Sequence, residues 1–279
     1  MIAEFEEKQF EQHLNIELIA GKNLFYAPGQ FLEHTLGFDV ALMTYHPRFW
    51  GLFFPYVPTG HFLDSRWWEE LEDYVDHFPK IKFNAFIQHK RPEYLNRSDA
   101  KEWDYWSRPY FRFCIVEHQQ STLRDLEYSI GDKGIVVYAS PAFHTLTDLW
   151  DKIKSIQLVE HTNFCQASKL NSHNRYSYIN PGNNGKAHSE PEDIESFDFI
   201  KRLKLLSEVE PYESNKKAIV ELGLILNDIM IKNKGLSALY HSILEYYHYQ
   251  EYRLSKFTLA ILQINTFKFL TRTTILLGY

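Results

Sequence analysis

The chain has 279 residues, 44% of them hydrophobic and 24% charged, and its 30 basic and 36 acidic side chains give a formal net charge of −6. This is a globular rather than a disordered composition, long enough to bury a core without disulfide or metal staples. The acidic balance excludes a protein that coats nucleic acid by bulk attraction, and two cysteines, Cys114 and Cys165, exclude a disulfide scaffold or a four-cysteine zinc site.

The opening stretch, MIAEFEEKQFEQ, is acidic and carries no apolar run of the secretory kind, so a cytoplasmic protein is expected. Residues 4–20 place Phe5, Phe10, Leu14, Ile16, Leu18 and Ile19 among acids, which predicts a first helix. Pro28 and Gly29 can open a helical turn that Gly37 closes. The aromatic and β-branched runs 38–45 and 49–57 read as strands, and Trp67, Leu71, Tyr74 and Val75 mark a helix over 66–77. KFNAFIQHK (82–90) reads as a strand with Phe83, Ala85 and Ile87 on one face and Asn84, Phe86 and Gln88 on the other. A strand at 110–117, a helix at 119–130 and a buried strand at 134–140 follow. A helix at about 143–156 comes next.

Residues 161–193 are polar and rich in Asn, Ser and Gly, and read as a long irregular bridge. Helical patterns then cover 195–209, 214–233, 235–253 and 255–277. The apolar stretch 257–277 is interrupted by Gln263, Asn265, Lys268 and Arg272, which argues against a membrane span. The expected architecture is α+β: an α/β core over 1–160, then a loop-rich bridge and a mostly helical region over 161–279. An aromatic-rich stripe, Tyr240, Leu244, Tyr247 and Tyr252, suits core packing or a homo-oligomer interface.

Four polar residues carry the chemical reading: Glu33, Asp39, Gln88 and Lys90. Gln88 and Lys90 are two apart, so a strand points both to one face. A carboxylate with a second oxygen ligand suits Mg²⁺, and a neighbouring lysine can orient the attacking water and stabilise charge developing on a phosphate. The other reading of the same residues stays open: Gln88 and Lys90 on the solvent face of an edge strand, with Glu33 and Asp39 as caps or turn residues. Around this strand, residues 78–113 hold eight basic and four acidic residues, a local +4, with Trp103, Tyr105, Trp106 and Tyr110 interleaved. Basic residues hold phosphates and aromatics stack on bases, although the same aromatics could pack on the domain below.

Glu33, Asp39 and the later Gln88-x-Lys90, followed by a helix and a strand, resemble the PD-(D/E)XK nuclease superfamily in its Q-x-K variant, found in restriction and phage-defence nucleases. The resemblance covers residues 5–155. It implies a restriction-endonuclease-like core and Mg²⁺- or Mn²⁺-dependent hydrolysis of DNA in antiviral defence. Asp39, Gln88 and Glu33 would hold the metal and Lys90 would be the catalytic lysine. Arg91, Arg108, Tyr110 and Arg112 are the expected substrate contacts. DNA, a second copy of the chain and a regulatory protein are the expected partners. The rival expectation is a non-catalytic binding module built on the same core.

Overall fold

The computed structural model describes residues 1–22, 25–26, 72, 75–182, 185–189, 191–195, 197–249 and 255–279. The expected turn at 28–37, the strands at 38–45 and 49–57 and most of the helix at 66–77 lie outside these residues, as do Glu33 and Asp39. The architecture is mixed α and β with a helical second half, and the chain divides into two compact units.

The first unit comprises Met1–Tyr26, Lys82–Pro211 and Thr271–Tyr279. Helix α1 (Glu7–Lys22) buries Phe10, Leu14 and Leu18, a stripe at four-residue spacing. One sheet contains β1 (Phe25–Tyr26), β2 (Phe83–His89), β5 (Gly134–Pro141), β6 (Thr162–Gln166) and β10 (Thr274–Gly278), in the order β1-β10-β2-β5-β6. Strand β2 is therefore central. It runs parallel to β5, pairs antiparallel with β10, and is buried along its whole length. The edge-strand reading of Gln88 does not survive this placement. Parallel pairing needs a crossover, and the chain between β2 and β5 contains β3 (Glu93–Leu95), α2 (Trp103–Trp106), β4 (Tyr110–Cys114) and α3 (Glu117–Ile130). Leu123, Leu126 and Ile130 form the buried stripe of α3. Gly134 follows where a Cβ would lie 2.8 Å from the Ile130 side chain and 2.9 Å from the Asn84 carbonyl.

A second sheet, in the order β3-β4-β7-β8-β9, adds β7 (Arg175–Tyr178), β8 (Gly185–His188) and β9 (Glu192–Ile194). Its apolar face carries Phe111, Phe113, Tyr176 and Tyr178. Phe113 meets the Tyr138 ring of β5 at 5.5 Å, and the Tyr178 hydroxyl donates to Ser140 Oγ at 2.7 Å. Helix α4 (Leu146–Ser155) is capped by the Thr145 hydroxyl, which accepts from the Asp148 amide. Asp198 caps α5 (Phe199–Ser207) in the same way.

The second unit takes in Ala27–Ile81 and Tyr212–Leu270. Its described helices are α6 (Asn215–Lys232), α7 (Lys234–Tyr249) and α8 (Lys256–Thr271), whose last residue belongs to the first unit. Asn215 ties the loop 75–81 to α6: its Nδ2 donates to the carbonyls of Val75, Phe78 and Pro79, and its Oδ1 accepts from the Ile81 amide. Tyr240 is fully buried and donates to Asn227 Oδ1 at 2.7 Å, so that part of the aromatic stripe is core.

Three expectations need correction. The bridge 161–193 is not irregular, since it supplies β6, β7, β8 and β9. The last predicted helix stops at Thr271, and residues 274–278 are a strand. The units do not divide at residue 160: β6 to α5 and β10 group with the first unit, because their strands complete its two sheets. Among the described residues, no helix is long and apolar enough to cross a membrane.

Candidate functional site

Gln88 and Lys90 lie at the carboxyl end of β2 beside the parallel strand β5, the edge at which α/β sheets commonly hold ligands. Gln88 is buried, and its Oε1 accepts from the Thr273 hydroxyl at 3.2 Å. The Lys90 ammonium donates to Gln119 Oε1 at 2.7 Å and sits 5.5 Å from the centre of the Tyr138 ring. Gln119 comes from α3, and its Nε2 donates to the Thr271 carbonyl at 3.3 Å. The Lys90 backbone is pinned as well: its amide donates to the Ala139 carbonyl, and its carbonyl accepts from Ser140 Oγ.

Burial pushes the Lys90 amine below the ordinary lysine range, against the opposing pull of Glu7 and Cys114. Glu7, at the start of α1, is displaced the other way: burial raises its carboxyl, with the Lys90 charge and the Arg91 amide opposing. Desolvation thus moves both groups toward their neutral forms, the condition in which a lysine or carboxyl can take part in proton transfer. On the opposite face of β2, His89 is fully buried against Phe10, with ring centres 5.9 Å apart. Neither ring nitrogen has a hydrogen-bond partner. Burial lowers its pKa to about 3, so it packs as a neutral ring.

The expected substrate contacts separate. Arg91 is committed to the chain's first residues, with Nε donating to the Ala3 carbonyl at 3.1 Å and Nη1 paired with Glu6 at 3.0 Å. Tyr110 is fully buried and donates to Glu102 Oε2 at 3.0 Å, and burial pushes its hydroxyl pKa up to about 12. Arg112 pairs with Glu93 at 2.6 Å and with Glu102 at 2.8 Å. These three were expected to face substrate; their polar groups are instead spent on internal partners, those of Arg91 on the chain's first residues and those of Tyr110 and Arg112, which lie on β4, an inner strand of the second sheet, on acidic side chains. Arg108 is exposed. Asp39 and Glu33 lie outside the described residues.

Sequence reasoning missed a second polar cluster, on the non-aromatic face of the second sheet. Glu102 accepts from Arg112, Arg175 and Tyr110 while almost fully buried. Nearby, Ser177 Oγ lies 2.6 Å from His188 Nε2 and accepts from the Trp106 indole at 2.9 Å. The two-residue spacings Arg175–Ser177 and Lys186–His188 were the available signal, hidden in a segment whose composition reads as loop.

Oxygen donors dominate the end of β2: the Glu7 carboxylate and the amide carbonyls of Gln88 and Gln119. Such donors suit a hard cation like Mg²⁺ rather than zinc. Among the described residues no group of three or more His, Cys, Asp or Glu side chains could hold a metal. Comparison with protein-family models, with curated proteins and with solved structures returns no match for this chain.

Proposed function

We propose that the chain is a metal-dependent endonuclease acting on DNA, with Lys90 as its central catalytic residue and antiviral defence in the cytoplasm as its setting. One observation carries the reading: Lys90 ends a central strand next to a parallel partner, desolvated, with its ammonium on a neutral amide rather than a carboxylate. A lysine whose ammonium donates to an amide rather than being neutralised by a carboxylate can redirect that donor to a phosphate oxygen. Gln88 would offer its amide oxygen to Mg²⁺ or Mn²⁺, and the resemblance assigns the carboxylate ligands to Asp39 and Glu33. When bound, such an ion supplies positive charge to the phosphate and lowers the pKa of a coordinated water. Lys90 then orients the reacting phosphate and stabilises its developing charge. Arg108 is the one expected DNA contact left exposed. On this reading a second copy of the chain docks through α6–α8, and a regulatory protein is a further partner.

The test is supercoiled plasmid with Mg²⁺ or Mn²⁺, comparing the native chain with Lys90→Ala and Asp39→Ala and adding a chelator as control. Nicking by the native chain alone, abolished by the chelator, is expected. Equal cleavage by Lys90→Ala would remove the assignment. The rival reading, a non-catalytic module, draws on the Gln88 carbonyl already accepting from Thr273. It predicts DNA or protein binding without turnover and without a metal requirement.

A further inference from the structure

The two amides at the candidate site are both held by one short piece of chain, the link between α8 and β10. Helix α8 ends at Thr271, and Arg272 takes a left-handed conformation (φ 56°). That turn is costly for a residue with a Cβ and persists where the surroundings enforce it. It leaves the Thr271 carbonyl facing α3 and the Thr273 hydroxyl facing β2.

An amide side chain has two unlike ends, so its orientation decides its chemistry. At Gln119 the Thr271 carbonyl accepts from Nε2, which turns Oε1 toward the Lys90 ammonium. Flipped, the same amide would set a donor against a cation and an oxygen against a carbonyl. At Gln88 the Thr273 hydroxyl donates to Oε1 and occupies one of its two lone pairs. The oxygen is thereby held in place, while Gln88 Nε2 donates to the His89 carbonyl at 3.4 Å.

We propose that Thr273 and the Thr271 carbonyl form a positioning element for the site: the Thr271 carbonyl orients the Gln119 amide and through it the Lys90 ammonium, and the Thr273 hydroxyl orients the Gln88 amide oxygen for reaction. This deepens the nuclease reading and rests on it for its catalytic consequence. Thr273 touches no reacting atom; it acts through Gln88.

The experiment compares Thr273→Val, which keeps the branched shape and removes the hydroxyl, with Thr273→Ser, which keeps the hydroxyl. In protein labelled with ¹³C,¹⁵N-glutamine, the Gln88 ¹³Cδ resonance, assigned through Gln88→Met, should move upfield in Thr273→Val and return in Thr273→Ser. A lost hydrogen bond worth about 1.4 kcal/mol corresponds to a tenfold effect. In plasmid cleavage kcat should therefore fall about tenfold in Thr273→Val, with KM unchanged, and recover in Thr273→Ser. If the valine lowers the melting temperature, Thr273→Ala against Thr273→Ser repeats the comparison. An unmoved Gln88 resonance overturns the proposal whatever the cleavage result, and so does a moved resonance with unchanged kcat. A native chain that cuts no plasmid removes the nuclease reading and, with it, the catalytic role of Thr273; the resonance then still decides whether Thr273 orients Gln88.

Discussion

At the scale of single residues, the electrostatics turn on where each charge finds its partner. Glu102 has 2% of its side chain exposed, and the two arginines that grip it have 17% and 20%. Burial alone would raise its carboxyl; the hydrogen bonds from Arg175 and Tyr110 and the charge of Arg112 outweigh that and hold it below the ordinary glutamate value of 4.5. Removing one member of a buried ion cluster strands the others. Glu102→Ala should cost about 3 kcal/mol in urea unfolding, and Glu102→Gln less, because the amide can still accept. The sign with pH follows from the lowered value. The contribution is complete above pH 4.5 and is lost as pH falls from there through the folded-state value. Urea midpoints measured from pH 6 to pH 3 should fall more steeply in the native chain than in Glu102→Gln. Residue identity in the sequence marked Gln88 and Lys90, since strand alternation puts both on one face. It could not mark their partners: Gln119 is 29 positions from Lys90, and Thr273 is 185 from Gln88. It also misread Arg112 and Tyr110, because a basic, aromatic segment looks the same whether its charges face solvent or one buried carboxylate.

At the scale of elements, legibility followed periodicity. Helices α1 and α3 bury one stripe each, β2 alternates between two faces, and β5 is a short apolar run between Gly134 and Pro141, so their pattern predicts them. Helix α8 lacks that contrast. Phe257, Ala260, Ile261, Leu262, Ile264 and Phe267 are all buried, so apolar residues run on without a face into Ile275, Leu276 and Leu277, and nothing in hydrophobicity marks the change to a strand. The crossing of α6 and α8 within the second unit was hidden for another reason: it depends on a missing side chain. A Cβ on Gly223 would stand 2.6 Å from the Ala260 Cα and 2.5 Å from its Cβ. Gly→Ala inside a helix ordinarily gains roughly 1 kcal/mol, whereas overpacking against backbone costs about 1–3 kcal/mol and no rotamer can relieve it. Gly223→Ala should therefore destabilise by about 1 kcal/mol, and adding Ala260→Gly should recover part of that loss beyond additivity. Thermal unfolding of the two single variants and the double variant measures the coupling.

At the scale of the whole molecule, the first unit is assembled from three separated lengths of chain, and composition gives no sign of it. Segment boundaries read from sequence follow changes in character, so residue 160 looked like a border: polar and glycine-rich after it, α/β before it. The hydrogen-bonding of the sheets ignores that change. Strand β6 closes one side of β5, while β10 inserts between β1 and β2, pairing Thr274 with Ile87 and Gly278 with Phe83. A fragment of residues 1–160 lacks both strands, along with β7, β8 and β9. It leaves β2 and β5 each with an open edge and the aromatic face of β4 without Tyr176 and Tyr178. Unpaired, apolar edges aggregate rather than fold. The fragment should show no cooperative urea transition and no near-ultraviolet circular dichroism. By contrast, replacing 27–81 and 212–270 with Gly/Ser linkers retains every strand of both sheets. Tyr26 pairs with Leu277 and the Lys82 amide donates to the Gly278 carbonyl, so the first linker has only about two strand spacings, roughly 10 Å, to cross. That spliced chain should unfold in a single cooperative transition. If it fails while the 1–160 fragment folds, the boundary at residue 160 is the physical one after all, and the long-range strands follow folding of the core rather than complete it.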